Sequence, residues 1–338
     1  MSGVIKLSMT ELSIIQPDTM SQPTGTTKFL QRMHIKSKLS LAAFAATLVA
    51  TACVVQAQTP ATPQATASPF NIDDLRQTAR MIPGRQPLHI NVITFAASLR
   101  TKNFSVKGAP AEPSVQARTA FQVMYPDGYI MIDSGMDEQV HKTFGRGAVE
   151  PYDFDAAKRL EQAVRGARAI VMTHEHGDHV AGVVHTSLAA ELAPKTALTR
   201  TQVQTLLTNP QMPEIKLTEE QAKRYRVFDY DQYYPFAPGI SLMKAPGHTP
   251  GSQMIYVILE NGTEYLFIGD STWHMDGVRQ IKVKDAPWIK EDEPAILAQL
   301  TWLNGLLKTE KNLVIVASHD DEQRKQYIEK GLLGRALE

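Results

Sequence analysis

The chain has 338 residues and carries 35 basic against 35 acidic side chains. That balance gives no electrostatic case for nucleic acid or an anionic membrane as partner. With 43% hydrophobic and 21% charged residues, the composition is that of a globular domain with ample sequence for a core.

The basic stretch Met33-His34-Ile35-Lys36-Ser37-Lys38 precedes an apolar run from Leu39 to Val55. Val55-Gln56-Ala57 fits the small-x-small rule for signal-peptidase cleavage, so residues 1–57 are expected to be an extended N-terminus plus secretory signal, with Met33 as an alternative start. The mature chain is then periplasmic or secreted and holds no stable membrane span. Cys53 is the only cysteine, and cleavage after Ala57 removes it. A mature chain without cysteine has no disulfide and no thiolate ligand, which leaves histidine and carboxylate to hold any metal. Residues 58–86 are expected to be a flexible leader, rich in Pro, Thr, Ala and Gln at first, with a short helix from Ile72 to Arg80 after Asn71. The folded domain is placed at 87–338.

His89 to Phe95 reads as a strand. Phe121 to Tyr125 and Tyr129 to Asp133 flank Pro126-Asp127-Gly128, a hairpin signal. Asp155 is expected to cap a helix whose inner face is Ala157, Leu160, Ala163 and Val164. Ala169 to Met172 is a short buried strand running into Thr173-His174, and Val180 to Leu192 reads as one helix. Thr218 with Gln221 signals a capping box. Ile240 to Lys244, Gln253 to Leu259 and Tyr265 to Ile268 read as strands. Pro294 opens a helix with Ile296, Leu297, Leu300, Leu303, Leu306 and Leu307 at helical spacing, and Leu313 to Ala317 is a last strand ending on Ser318-His319. Two strand-rich halves, each with helices, predict two sheets face to face with helices outside.

The run Thr-His-Glu-His-Gly-Asp-His places His174, His176, Asp178 and His179 on one loop after a strand. His174 and His176, two apart on extended backbone, point the same way, and Glu175 points away. Neutral imidazoles and carboxylates held rigidly are what zinc requires, and four such groups leaving one loop can serve two metals. His248, Asp270 and His319 each follow an apolar run, so each projects from a sheet rim, where sites are assembled. His34, His89, His141 and His185 lack this context and read as surface or structural histidines.

The pattern His-x-His-x-Asp-His followed by a His, an Asp and a final His resembles the metallo-β-lactamase superfamily over roughly residues 87–325. The resemblance implies an αβ/βα four-layer sandwich, a member of the α/β class, with two Zn²⁺ per chain. One zinc takes His174, His176 and His248; the other takes Asp178, His179 and His319; Asp270 bridges them. Asp133, in Ile-Asp-Ser-Gly, resembles the Asp that supports the ligand loop from behind. Gly247-His248-Thr249-Pro250-Gly251-Ser252 and Ser318-His319-Asp320-Asp321-Glu322-Gln323 are similar to segments of N-acyl-homoserine lactone lactonases. Those lactonases place a Tyr three residues after the bridging Asp; here Trp273 stands there, with His274 next as a second pocket donor. The resemblance implies a zinc-dependent hydrolase in which a metal-bridging hydroxide opens a lactone or related ester of a small molecule, with Asp178 and Asp270 as its catalytic carboxylates. Asp178 carries the proton. Hydrolysis of a thioester, β-lactam or phosphodiester is the alternative, and iron-binding redox relatives share the ligand pattern.

Overall fold

Two sheets form because nearly every central strand alternates its apolar residues between two different cores. A computed structural model describes residues 70–335 and 337, all within one compact unit. The signal-peptide reading, Met33 and Cys53 lie outside the described residues.

The first sheet is made of β1 (His89–Thr101), β2 (Pro113–Tyr125), β3 (Gly128–Ile132), β4 (Ala169–Val171), β5 (Thr196–Thr199) and β6 (Arg226–Phe228), side by side in that order. β1, β2 and β3 pair antiparallel, and β3 to β6 pair in parallel. The second sheet holds β7 (Tyr233–Ala237), β8 (Ile240–Lys244), β9 (Gln253–Ile258), β10 (Glu264–Phe267) and β11 (Leu313–Val316), in the order β11-β10-β9-β8-β7. Only β10 and β11 are parallel there.

Period-two alternation assigns the layers. Val92, Ile132 and Val171 of the first sheet meet Leu242, Val257, Phe267 and Val316 of the second in a shared middle core. The Phe121 and Phe267 rings lie 4.8 Å apart across it. The alternate residues Phe95, Met131 and Ile170 face outward against the helices Phe154–Gly166 and Gly177–Val184. Tyr256, Leu266 and Ile315 face outward on the other side, against the helices Ile72–Ala79 and Glu293–Thr309. The result is the expected four-layer αβ/βα sandwich. Strands buried on both faces explain the continuous apolar runs in the sequence.

Several elements differ from the sequence reading, among them β1, which runs on past Phe95 to Thr101, and β2, which starts at Pro113 rather than Phe121. Residues 70–86 do not all belong to a flexible leader. Asn71 caps Ile72–Ala79 by accepting from the Asp73 amide at 3.0 Å, and Leu75 is fully buried, worth about 2 kcal/mol of apolar burial. Arg76 ties that helix to the second sheet and its covering helix through Glu264 at 2.8 Å and Glu310 at 2.6 Å. Asp153, not Asp155, caps Phe154–Gly166. The expected single helix from Val180 to Leu192 is two: it runs Gly177–Val184, breaks at His185, and restarts as Ala189–Leu192. His185 pairs with Asp137 at 2.5 Å, and Thr186 Oγ1 accepts from the Leu188 amide, a local alternative to helical bonding. Finally β5, β6 and β7 are strands too short or too polar to show a period.

Candidate metal centre

The first sheet delivers Thr173 to His176 from the end of β4 as extended chain, and the helix Gly177–Val184 begins immediately, with His176 as its N-cap. Asp178 and His179 therefore lie in the first helical turn, rotated away from His174 and His176. Gly182 lets this helix sit close to its support: a Cβ there would fall 2.1 Å from the Ser134 carbonyl oxygen. In the second sheet His248 follows β8, Asp270 follows β10 and His319 follows β11. Gly269, at φ +52°, provides the left-handed turn that swings Asp270 toward the first sheet.

All seven side chains meet at one edge of the sandwich. Three groups of ligand atoms each lie within 4.8 Å of one another: His174, His176 and His248; Asp178, His179 and His319; and His174, His179 and Asp270. His248 Nε2 is 2.9 Å from His176 Nδ1, and the Nε2 atoms of His179 and His319 are 3.3 Å apart. His174 Nε2 and Asp270 Oδ1 are buried without a hydrogen-bond partner. Orphaned lone pairs of this kind are costly unless a cation completes them, so the donor set fits two metal ions with Asp270 between them.

Groups behind the ligands aim them. Asp133 adopts φ +61°, unusual for a non-glycine residue. Its carboxylate accepts from the Thr173 amide at 2.7 Å, from Thr173 Oγ1 at 2.9 Å and meets His179 Nδ1 at 2.8 Å. His319 Nδ1 meets the Ala117 carbonyl at 2.6 Å, which leaves its Nε2 lone pair facing the site. His248 Nδ1 meets the Glu291 carboxylate, itself 2.9 Å from the Lys284 ammonium. Burial opposes ionisation of Glu291, but the charges of Lys284 and His248 keep its carboxyl below the ordinary range. Trp273 Nε1 donates to Asp270 Oδ2 at 2.8 Å.

Charge states suit metal binding. Burial pushes His174 well down and His176 to about 3, so both imidazoles are neutral, as ligands must be. Burial also opposes charging of His179, but Asp178, Asp133 and Asp270 outweigh it and hold the ring at about 9; a metal ion there would take the place of that proton. Asp178 and Asp270 are held low against burial by Arg118 and the surrounding histidines.

Glu175 points away from the metal ligands, as strand alternation predicts. It accepts from Thr249 Oγ1 at 2.8 Å and from the Gly251 amide at 3.0 Å, tethering the loop that carries His248. Its carboxyl is pushed up by burial. His141 is buried and structural. His274 does not line the pocket. It caps Met275–Gln280, its Nδ1 accepting from the Asp276 amide at 3.1 Å, and its ring faces Asp320 and Glu322. The turn after Asp270 sends Trp273 to the metals and its neighbour the other way.

The sequence reading missed Arg118, Glu291 and Lys284. Arg118 reaches in from β2 and donates to Asp178 Oδ2. A lone Arg within a strand carries no sequence signal, and Glu291 and Lys284 lie in an irregular segment. Above the metal ligands is a cavity of about 410 Å³. His176, Asp178, His248, Asp270 and Trp273 form part of its wall.

The family profile described as the Metallo-beta-lactamase superfamily matches residues 119–288. The N-acyl homoserine lactonases of Bacillus thuringiensis subsp. kurstaki and Bacillus cereus are each 24% identical to this chain, over 216 and 219 residues, covering 59% of it and 79% of each relative. Among solved structures, a quorum-quenching N-acyl homoserine lactone lactonase superposes with a TM-score of 0.56 at 18% identity, covering 72% of this chain and 97% of that one. An N-acyl homoserine lactone hydrolase, solved with N-hexanoyl-L-homoserine at its catalytic metal centre, gives 0.57 at 18% identity, covering 71% and 96%. The sandwich, the His-x-His-x-Asp-His loop at its edge and the match across half of the sequence lead to one assignment: the chain belongs to the metallo-beta-lactamase superfamily.

Proposed function

We propose that this protein is a dinuclear zinc hydrolase that opens a lactone or cleaves a related ester of a small molecule. One observation carries the reading: seven ligand-type side chains converge beside a cavity, with buried, unpartnered atoms on His174 and Asp270. The likeness to lactonases at 24% identity supports the choice of bond.

His174, His176 and His248 would hold one ion, Asp178, His179 and His319 the other, and Asp270 would touch both. Metal ions at such a site supply a water acidic enough to act near neutral pH and a Lewis acid for the carbonyl oxygen. The chain's own residues do the rest. Asp178 is held ionised by Arg118 and faces the cavity, placed to accept a proton and return it to the leaving oxygen. The Trp273 indole fixes the rotamer of Asp270 through Oδ2. Trp273 stands where lactonases place a Tyr; its N–H is spent on Asp270, so its role toward substrate is the indole face on the cavity wall. Phe144, Met212 and Ile289 add apolar wall for an acyl or alkyl group.

We further propose that the mature enzyme is periplasmic or secreted. No helix among the described residues is long and apolar enough to cross a membrane.

The test is a panel of lactone, ester, thioester and β-lactam substrates on zinc-loaded protein with a chelated control. Chelator-sensitive turnover led by lactone or ester supports the reading. Turnover led by thioester or β-lactam moves the assignment to that bond, and turnover that survives complete chelation removes the metal mechanism.

A further inference from the structure

We infer that the cavity above the metal centre selects substrates bearing a second, anionic group, a carboxylate or phosphate placed away from the bond that breaks. This rests on the hydrolase reading and names its substrate class.

Four cationic side chains line this one cavity: Arg100, Arg118, Arg146 and Lys290. Two are already neutralised. Arg118 pairs with Asp178, and Arg100 with the buried end of Glu150. Arg146 and Lys290 pair with no carboxylate among the described residues, and both are exposed at the rim, whereas the metal ligands are buried except for the half-buried His176. Arg146 is not loose, however. Its guanidinium lies 4.4 Å over the Trp288 ring, and Trp288 is itself 37% exposed. Stacking of this kind positions a planar cation without consuming its hydrogen-bond donors. A large exposed indole that holds an unpaired arginine over a cavity mouth is a ready oxyanion clamp.

The wall beneath points to the same kind of ligand. Phe144, Met212 and Ile289 line the cavity together with the buried ligands and the exposed cations. A bound molecule would thus meet metal-bearing polar groups, apolar wall, and then two unpaired positive charges. A wholly neutral acyl chain filling this space would strip water from Arg146 and Lys290 with nothing in return. An anionic tail would keep them satisfied.

Two esters differing only at the far end test this: para-nitrophenyl hexanoate, and the para-nitrophenyl monoester of adipic acid, in which a carboxylate replaces the terminal methyl. The zinc-loaded enzyme is expected to favour the adipate ester in kcat/KM, chiefly through KM. Arg146→Ala and Lys290→Ala are each expected to cut that preference about fivefold, the upper range for an exposed charge contact, and added salt should erode it. Arg85→Ala, at an exposed arginine that does not line this cavity, should leave the preference intact. Equal kcat/KM for the two esters overturns the inference. So does a preference that survives both rim substitutions, which would mean that the metal ions alone hold the carboxylate. If neither ester is hydrolysed, the hydrolase reading stands or falls on the substrate panel above. Tryptophan fluorescence titrated with adipamate and with hexanamide then decides: a response to adipamate that Arg146→Ala weakens supports the anion site, and identical responses in the two proteins overturn it.

Discussion

His174, His176 and His248 meet on the open side of the centre, where His176 and His248 form cavity wall; of Asp178, His179 and His319, only Asp178 reaches that wall. The two groups are also supported differently. Asp178, His179 and His319 lean on the first sheet: Asp133 after β3, with Arg118 and the Ala117 carbonyl on β2. His248 leans on Glu291, which follows Trp288, Ile289 and Lys290 in one irregular segment that also forms the cavity rim. One cluster is therefore anchored in rigid sheet, and the other is tied to the segment that meets the substrate. Metal affinity and substrate recognition are therefore coupled at His248, whereas the cluster of Asp178, His179 and His319 can be weakened from behind without disturbing the rim.

The largest effect is expected where the clusters join. Asp270→Ala should lower metal content at both and reduce hydrolysis by more than about a hundredfold, beyond the usual loss for an outer partner; full metal retention on elemental analysis would remove the bridging role. Asp133→Ala should come next. It strips the acceptor from Thr173 and His179, so metal affinity should fall about 10- to 100-fold, measured by chelator competition, with KM little changed. Glu291→Gln should cost about tenfold in metal affinity and, unlike Asp133→Ala, should also raise KM, because the same segment carries the rim. Equal KM effects in these two variants would mean that Glu291 does not link His248 to the rim. Trp273→Phe should be the mildest. Losing one hydrogen bond to a charged acceptor costs about 1.5 kcal/mol, roughly a tenfold fall in kcat, with metal retained and substrate preference altered.

Much of the architecture was legible in the sequence because doubly buried strands leave apolar runs that end on a functional residue, as Leu313 to Ala317 ends before His319. The seven candidate ligands stood out because four fall within six positions, 174–179, and three close such runs. Residues that act singly did not. Arg118 is one polar position among the buried residues of β2, and Glu291 gains meaning only when folding brings it to His248. His274 shows the converse error: adjacency to Trp273 suggested the pocket, but a sharp turn separates neighbours, and its ring serves as a helix cap. The short helix at Ile72–Ala79 is legible after Asn71, but its docking on the second sheet, which carries the folded part upstream of residue 87, shows only once the sheet supplies the surface for its buried residues.

The most direct test of the account is the number of metal ions per chain. Protein stripped of metal, reloaded with zinc and freed of excess should contain two zinc ions by elemental analysis, in line with the two ligand groups that share Asp270, and chelator-sensitive hydrolysis should appear as they are restored. A single ion per chain, or full activity with none, would contradict it.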